Sequence, residues 1–144
     1  MKELKEREWR KKNICIRVTR GNIQKHEVMK KVEEITDIKW REVAEQIWEV
    51  KDNMVRIRIR EMSDKVELMR TKGKMKGSDI WIDDDLTSRE IEVQKWLRKE
   101  AEKEEKMGRR VKISYMKIEI DGEWMKWDER SGRLDKFFRR RGSF

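Results

Sequence analysis

Leu68–Ser88, LMRTKGKMKGSDIWIDDDLTS, decides how this chain divides. A helical pattern stops in a basic loop punctuated by Gly73 and Gly77, and a short apolar strand, Ile80-Trp81-Ile82, follows. Three aspartates, Asp83 to Asp85, then precede a helix start at Thr87. One unit closes at the strand and another opens at the threonine. The resulting division is a charged helical stub over 1–12, a first domain over 13–85, a second over 86–138 and a basic tail over 139–144.

Upstream, MVRIRIR (54–60) alternates Val55, Ile57 and Ile59 with Arg56, Arg58 and Arg60, the period of a strand with one buried face. NICIRVT (13–19) alternates likewise, with Cys15, Arg17 and Thr19 opposite Ile14, Ile16 and Val18, and Gly21-Asn22 ends it. Lys25–Ile35 has helical spacing through Val28, Val32 and Ile35. Lys39–Val50 fits helix or strand, and its place before a strong strand favours a strand within it. Glu61–Lys72 is helical through Met62, Val66 and Met69. Strand, helix, strand, strand, helix, strand is the split βαβ, or ferredoxin-like, order of an α+β domain. Helices then cover one sheet face. The other would be bare, with Arg17, Arg56, Arg58 and Arg60 sharing it.

Downstream, Thr87-Ser88-Arg89-Glu90 fits a capping box, and the aspartates before it suit the positive helix end. That helix carries Val93, Trp96, Leu97 and Ala101 as its stripe and stops at Gly108. RRVKISY (109–115) puts Val111, Ile113 and Tyr115 on one face. In MKIEIDGEWMKW (116–127), Asp121-Gly122 is a type I′ hairpin signature. Counting outward pairs Glu119 with Trp124, Ile118 with Met125 and Lys117 with Lys126. Met116, Ile118, Ile120, Met125 and Trp127 become core. Trp124 between Lys117 and Lys126 is either a base-stacking platform or a surface Trp under its neighbours' methylenes. RLDKFFRRRGSF (133–144) reads as a frayed basic arm ending in Arg139–Arg141. The second domain is thus a small helix plus hairpin.

Of 144 residues, 48% are charged and 35% hydrophobic, a ratio near the disordered class. Seven Trp and nine Met in periodic positions argue instead for a thin core under a charged surface. The formal charge of +9 creates a field that steers polyanions and gains free energy by releasing their counterions. Cys15 is the only cysteine, which excludes internal disulfides and cysteine-based zinc sites. No apolar run approaches the ~20 residues of a membrane span. The first residues, MKELKEREWRKKN, lack a secretory core, so a cytosolic or nuclear location is expected. His26 is the single histidine and lies on a charged helix side, so no Ser/His/Asp arrangement forms, and no Walker-type loop is present. Asp79 and Asp83 to Asp85 are too consecutive for a metal site, because neighbours on an extended segment point oppositely. The chain reads as a non-enzyme without a cofactor.

This order of features resembles the first-open-reading-frame RNA-binding proteins of LINE-type non-LTR retrotransposons, which carry a coiled coil, an RNA-recognition-motif (RRM) domain and a small C-terminal domain. MRTKGKMKGSDIWIDDDLTS is similar to the family's Arg-x-Lys-Gly loop, closing strand and Asp-Leu-Ser helix start. VKISYMKIEIDGEW is similar to its Arg-Ile-Ser-Tyr segment and following hairpin. The resemblance implies binding roles for Arg70, Lys72, Lys112 and Tyr115. The family's C-terminal Arg-Arg pair is Gln94-Lys95 here, the proline after the tyrosine is missing, and any coiled coil is reduced to twelve residues. An upstream coiled coil would make the chain a homotrimer, and without one it is a monomer.

The expected nucleic-acid-binding set is Arg17, Arg56, Arg58, Arg60, Arg70, Lys72, Lys95, Arg109, Arg110, Lys112, Tyr115, Lys117, Trp124 and Lys126. The two central strands lack Phe and Tyr, so binding to RNA or single-stranded nucleic acid is expected to be broad, electrostatic and chaperone-like rather than sequence-specific. A protein-interaction module, or a decayed fragment without nucleic-acid binding, is the alternative.

Overall fold

The computed structural model describes residues 2–19, 24–50 and 53–136. It is an α+β chain with two antiparallel four-stranded sheets, divided into compact units Met1–Thr87 and Ser88–Phe144. The charged stub therefore groups with the first unit instead of standing apart. The break expected at Gly21-Asn22 and the arm expected at Arg139–Arg141 lie outside the described residues.

The first unit runs α1 (Lys2–Arg10), β1 (Asn13–Val18), α2 (Lys25–Thr36), α3 (Trp40–Val43), β2 (Ala44–Val50), β3 (Met54–Ile59), α4 (Met62–Thr71), a 3₁₀ turn (Lys72–Met75) and β4 (Ile80–Asp84). Its sheet order is β2-β3-β1-β4. Alternation sets the register. Ile14 lies opposite Ile57, Ile16 opposite Val55 and Ile82, and Val18 opposite Ile80, so every strand turns its branched aliphatics to one side. Val28 and Val32 of α2 and Leu68 of α4 join this core. Fully burying each such side chain contributes roughly 1.5–3 kcal/mol. A one-residue slip would expose the whole row, which fixes the pairing.

Lys39–Val50 turns out to satisfy both of its readings. Trp40 is buried, its indole N–H donating to the Met29 carbonyl (2.9 Å) and its backbone N–H to Glu33 Oε2 (2.9 Å), and the single turn α3 forms around it. The chain then extends into β2. Helix α4 is rotated from its expected face. Met62 and Val66 are exposed, and Lys65 and Leu68 point inward. Leu68 supplies the larger aliphatic. Lys65 buries its stem while its amine donates to the Lys11 carbonyl (2.5 Å) and pairs with Asp84 (2.8 Å).

The second unit is α5 (Ser88–Lys106) and a meander of β5 (Val111–Ser114), β6 (Lys117–Ile120), β7 (Glu123–Asp128) and β8 (Arg133–Lys136), in that order across the sheet. Val93, Leu97, Ala101 and Ile118 form its buried centre, with Met116, Ile120, Met125, Trp127 and Leu134 around them. The β6–β7 register is the one counted from the turn, and Asp121 (φ 48°) and Gly122 (φ 84°) both take the positive φ of a type I′ turn.

Two features depart from the sequence reading. Residues 133–136, taken for part of a frayed arm, form β8, with Leu134 opposite Trp127. The turn into β8 is held by Asp128, which accepts from the Arg130 backbone N–H and the Ser131 hydroxyl (both 3.0 Å). These bonds hold its carboxyl below the ordinary range. Tyr115 does not continue the strand face of Val111 and Ile113. β5 ends at Ser114, and Tyr115 sits in the turn beside Met116 (φ 58°).

Candidate nucleic-acid interface

Because Ile14, Ile16, Ile57 and Ile82 face the core, Asn13, Cys15, Arg17, Trp48, Arg56, Arg58, Trp81 and Asp83 stand on the sheet's other face. Arg56 lies opposite Cys15, Arg58 opposite Asn13 and Arg17 opposite Trp81. Arg17, Arg56 and Arg58 thus do share a face, but that face is not bare. The last turn of α1 lies on part of it, with Trp9 5.9 Å from Trp48 between ring centroids and the Arg58 guanidinium 5.4 Å above the Trp9 ring. Arg58 Nη1 also donates to the Trp9 carbonyl (2.7 Å) and to Asn13 Oδ1 (3.2 Å), and Arg58 Nε to Glu45 (3.2 Å).

Asp85 is the organising group of this covered half. It is buried, accepts from Arg10 Nη1 (3.0 Å) and Asn13 Nδ2 (2.9 Å), and stands 3.1 Å from Arg56 Nε. That N–H makes no hydrogen bond among the described residues, so its pairing with Asp85 is one of charge rather than of an aligned bond. On sequence alone the aspartate run suits helix-start electrostatics, and the structure gives it another role. Asp83 and Asp84 are β4 residues, and all three carboxylates neutralise cations: Arg17 (3.6 Å), Lys65 and the Arg10/Arg56 pair. Burial first, and the Asp85 charge second, push the Cys15 thiol up to about 11, so it stays protonated and unreactive.

Replacing Arg56 and Arg58 together should therefore not leave the fold untouched, as full exposure would have implied. The double alanine variant is expected to lose about 2 kcal/mol of stability, since each removed guanidinium strips a partner from a carboxylate or a carbonyl. An unchanged urea midpoint would show that these contacts are spectators.

The other half of the face is open. Arg17 is more than half exposed, and its cross-strand partner Trp81 is 58% exposed on the edge strand. Beside Trp81 a cleft of about 410 Å³ is lined from the 3₁₀ turn by Lys72, Met75 and Lys76 and from β4 by Trp81 and Asp83. Lys72, Lys74 and Lys76 are exposed and form no ion pair among the described residues. Trp81 does not belong to the set expected from sequence. The signal was present, because an aromatic flanked by two isoleucines on a strand must point away from the core.

The remaining expected residues scatter. Arg60 follows β3, with Nε donating to the Ala44 carbonyl (3.1 Å). Arg70 is exposed but forks onto Glu67 (2.7 and 2.8 Å). In the second unit Lys95 and Lys112 are exposed, Arg109 is bonded to Glu104, and Arg110 sits at the strand mouth where its backbone N–H donates to Asp121 (2.9 Å). The Tyr115 hydroxyl donates to Glu90, and Gln94 bridges the same turn through Ser114 and Met116. Lys117, Trp124 and Lys126 do share a face, with the Lys117 ammonium 4.9 Å above the Trp124 ring. The lysine therefore occupies at least part of the surface that a base would use.

Among the described residues, no group of three or more His, Cys, Asp or Glu is placed to hold a metal, and no helix is long and apolar enough to cross a membrane. No protein-family model matches the chain, and comparison with curated proteins gives no significant match.

Proposed function

We propose that this chain binds RNA or single-stranded nucleic acid through broad, mainly electrostatic contacts, in the chaperone-like manner of the retrotransposon proteins that its sequence resembles. The observation that carries the reading is the open half of the first unit's outer sheet face. Exposed Arg17 lies there beside a cleft whose turn contributes Lys72 and Lys76, with Lys74 next to them. Three lysines without carboxylate partners among the described residues keep a local field that the +9 net charge reinforces. The βαββαβ order and the β2-β3-β1-β4 sheet support a ferredoxin-like, RRM-type first unit. On this reading the family's Arg70 and Lys72 flank the site, while Arg56 and Arg58 act as scaffold under α1. Lys112, Lys117, Trp124 and Lys126 are a second cationic surface within the second unit.

A salt titration tests it. With Lys72, Lys74 and Lys76 each neutralising one phosphate, log K should fall against log[salt] with a slope of about −2.1, or about twentyfold between roughly 50 and 200 mM. Fluorescence anisotropy of a labelled single-stranded RNA reads this directly. Salt-independent affinity, or no binding at the lower salt, would leave the protein-interaction reading standing.

A further inference from the structure

We infer that Trp81 is a nucleobase-stacking position, and that the cleft beside it sorts a single strand with its phosphates on the 3₁₀ turn and a base on β4. The inference rests on the nucleic-acid reading above and specifies the ligand: an unpaired nucleotide within a strand, not a duplex and not a polyanion in general.

A single exposed Trp is common on protein surfaces and by itself means little. Three further observations single out this one. Its position is fixed by a sheet, because Ile80 and Ile82 on either side are buried, so the indole stands on a rigid strand instead of a loop. Its ring is available: among the described residues no aromatic ring or cation stacks on it, whereas Trp9, Trp48, Trp96, Trp124 and Trp127 all have such a neighbour. Finally, it borders a cleft of about 410 Å³, within the range of small-ligand sites.

The charges of that cleft are segregated. Lys72 and Lys76 line it from the turn, and Asp79 and Asp83 from β4 and its lead-in. Phosphate is drawn to the lysines and repelled by the carboxylates, so a nucleotide enters with its backbone on the turn side. Its base then falls toward Trp81, where the carboxylates offer acceptors for exocyclic amino groups. Gly73 and Gly77 border the cleft on the turn side, and the space around them is open: a Cβ at either would meet nothing within 4 Å. A paired base already stacked in a duplex cannot lie flat on the indole without leaving its helix.

The test compares wild type, Trp81→Ala and Trp81→Phe on three probes at low salt: a single-stranded RNA, an abasic oligomer with the same backbone and length, and a duplex. Trp81→Ala should bind the RNA about tenfold more weakly, and Trp81→Phe should recover most of that loss. The abasic oligomer and the duplex should be bound equally by all three proteins. Circular dichroism confirms that the variants remain folded, as expected for an outward side chain. An equal loss on the abasic probe, or no loss on the RNA, would overturn the stacking assignment while leaving electrostatic binding intact. Failure of wild type to bind any of the three would overturn both.

Discussion

Asp85→Ala is expected to destabilise the first unit by about 3 kcal/mol, the largest effect of any single polar substitution there. The carboxylate is 4% exposed and is shared by Arg10, Asn13 and Arg56, with the Cys15 thiol 3.6 Å away. Removing it leaves the Asn13 amide without its acceptor in a fully buried position. It also leaves two guanidinium groups facing each other without the charge between them. Both arginines are about a quarter exposed and can turn toward water, which keeps the loss at the lower end of the range for a broken buried pair. Asp85→Asn retains the volume and one acceptor, and should lose about half as much. Hydrogen exchange of the β1 and β3 amides should accelerate by roughly a hundredfold in the alanine variant. Unchanged exchange there would mean that the aliphatic face alone holds the sheet.

Leu97→Ala should cost the second unit about 3 kcal/mol, and the consequence is greater because that unit has less to lose. Its buried centre is four residues, of which Leu97 and Ile118 are the largest. A unit of this size is stabilised by only about 3–8 kcal/mol in total on a per-residue scale. Loss of the leucine methyls beneath Ile118 and beside Trp127 therefore brings it close to its melting point. The Trp96–Trp127 pair, 5.0 Å between centroids and tilted by 33°, gives a convenient near-ultraviolet circular dichroism signal. That signal should collapse in the variant at temperatures where wild type retains it. A variant melting within a few degrees of wild type would show that the meander draws its stability from elsewhere.

These two sites differ in how far the sequence foretold them. Leu97 could be read directly, since Val93, Leu97 and Ala101 recur at helical spacing and all three are buried, whereas Trp96 of the same expected stripe is exposed. The Asp121-Gly122 turn likewise fixes the pairing of β6 with β7 through local backbone conformation alone. Asp85 could not be read so, because its partners Arg10 and Asn13 lie 75 and 72 residues away in the chain. A run of three aspartates before a helix fits helix-dipole electrostatics equally well, and only the strand pairing decides between that and a buried ionic hub. Helix α4 failed for a related reason. Of the expected stripe, Met69 packs against the core while Met62 and Val66 are exposed; the sheet selected Leu68, and Lys65 could be buried because Lys11 and Asp84 are at hand to bind its amine.

The amino-acid order alone determined which strand faces are apolar, where the chain turns in the hairpin and which face of α5 is buried, because each follows from local period and backbone conformation. It also put arginines on one side of the first sheet. Whether those arginines are available was settled only in three dimensions: α1 and Asp85 engage Arg56 and Arg58, and leave Arg17 and Trp81 open to solvent. Periodicity records the direction in which a side chain points. It carries no information about which distant segment covers it, and on a charged surface that is what separates a binding group from a structural one.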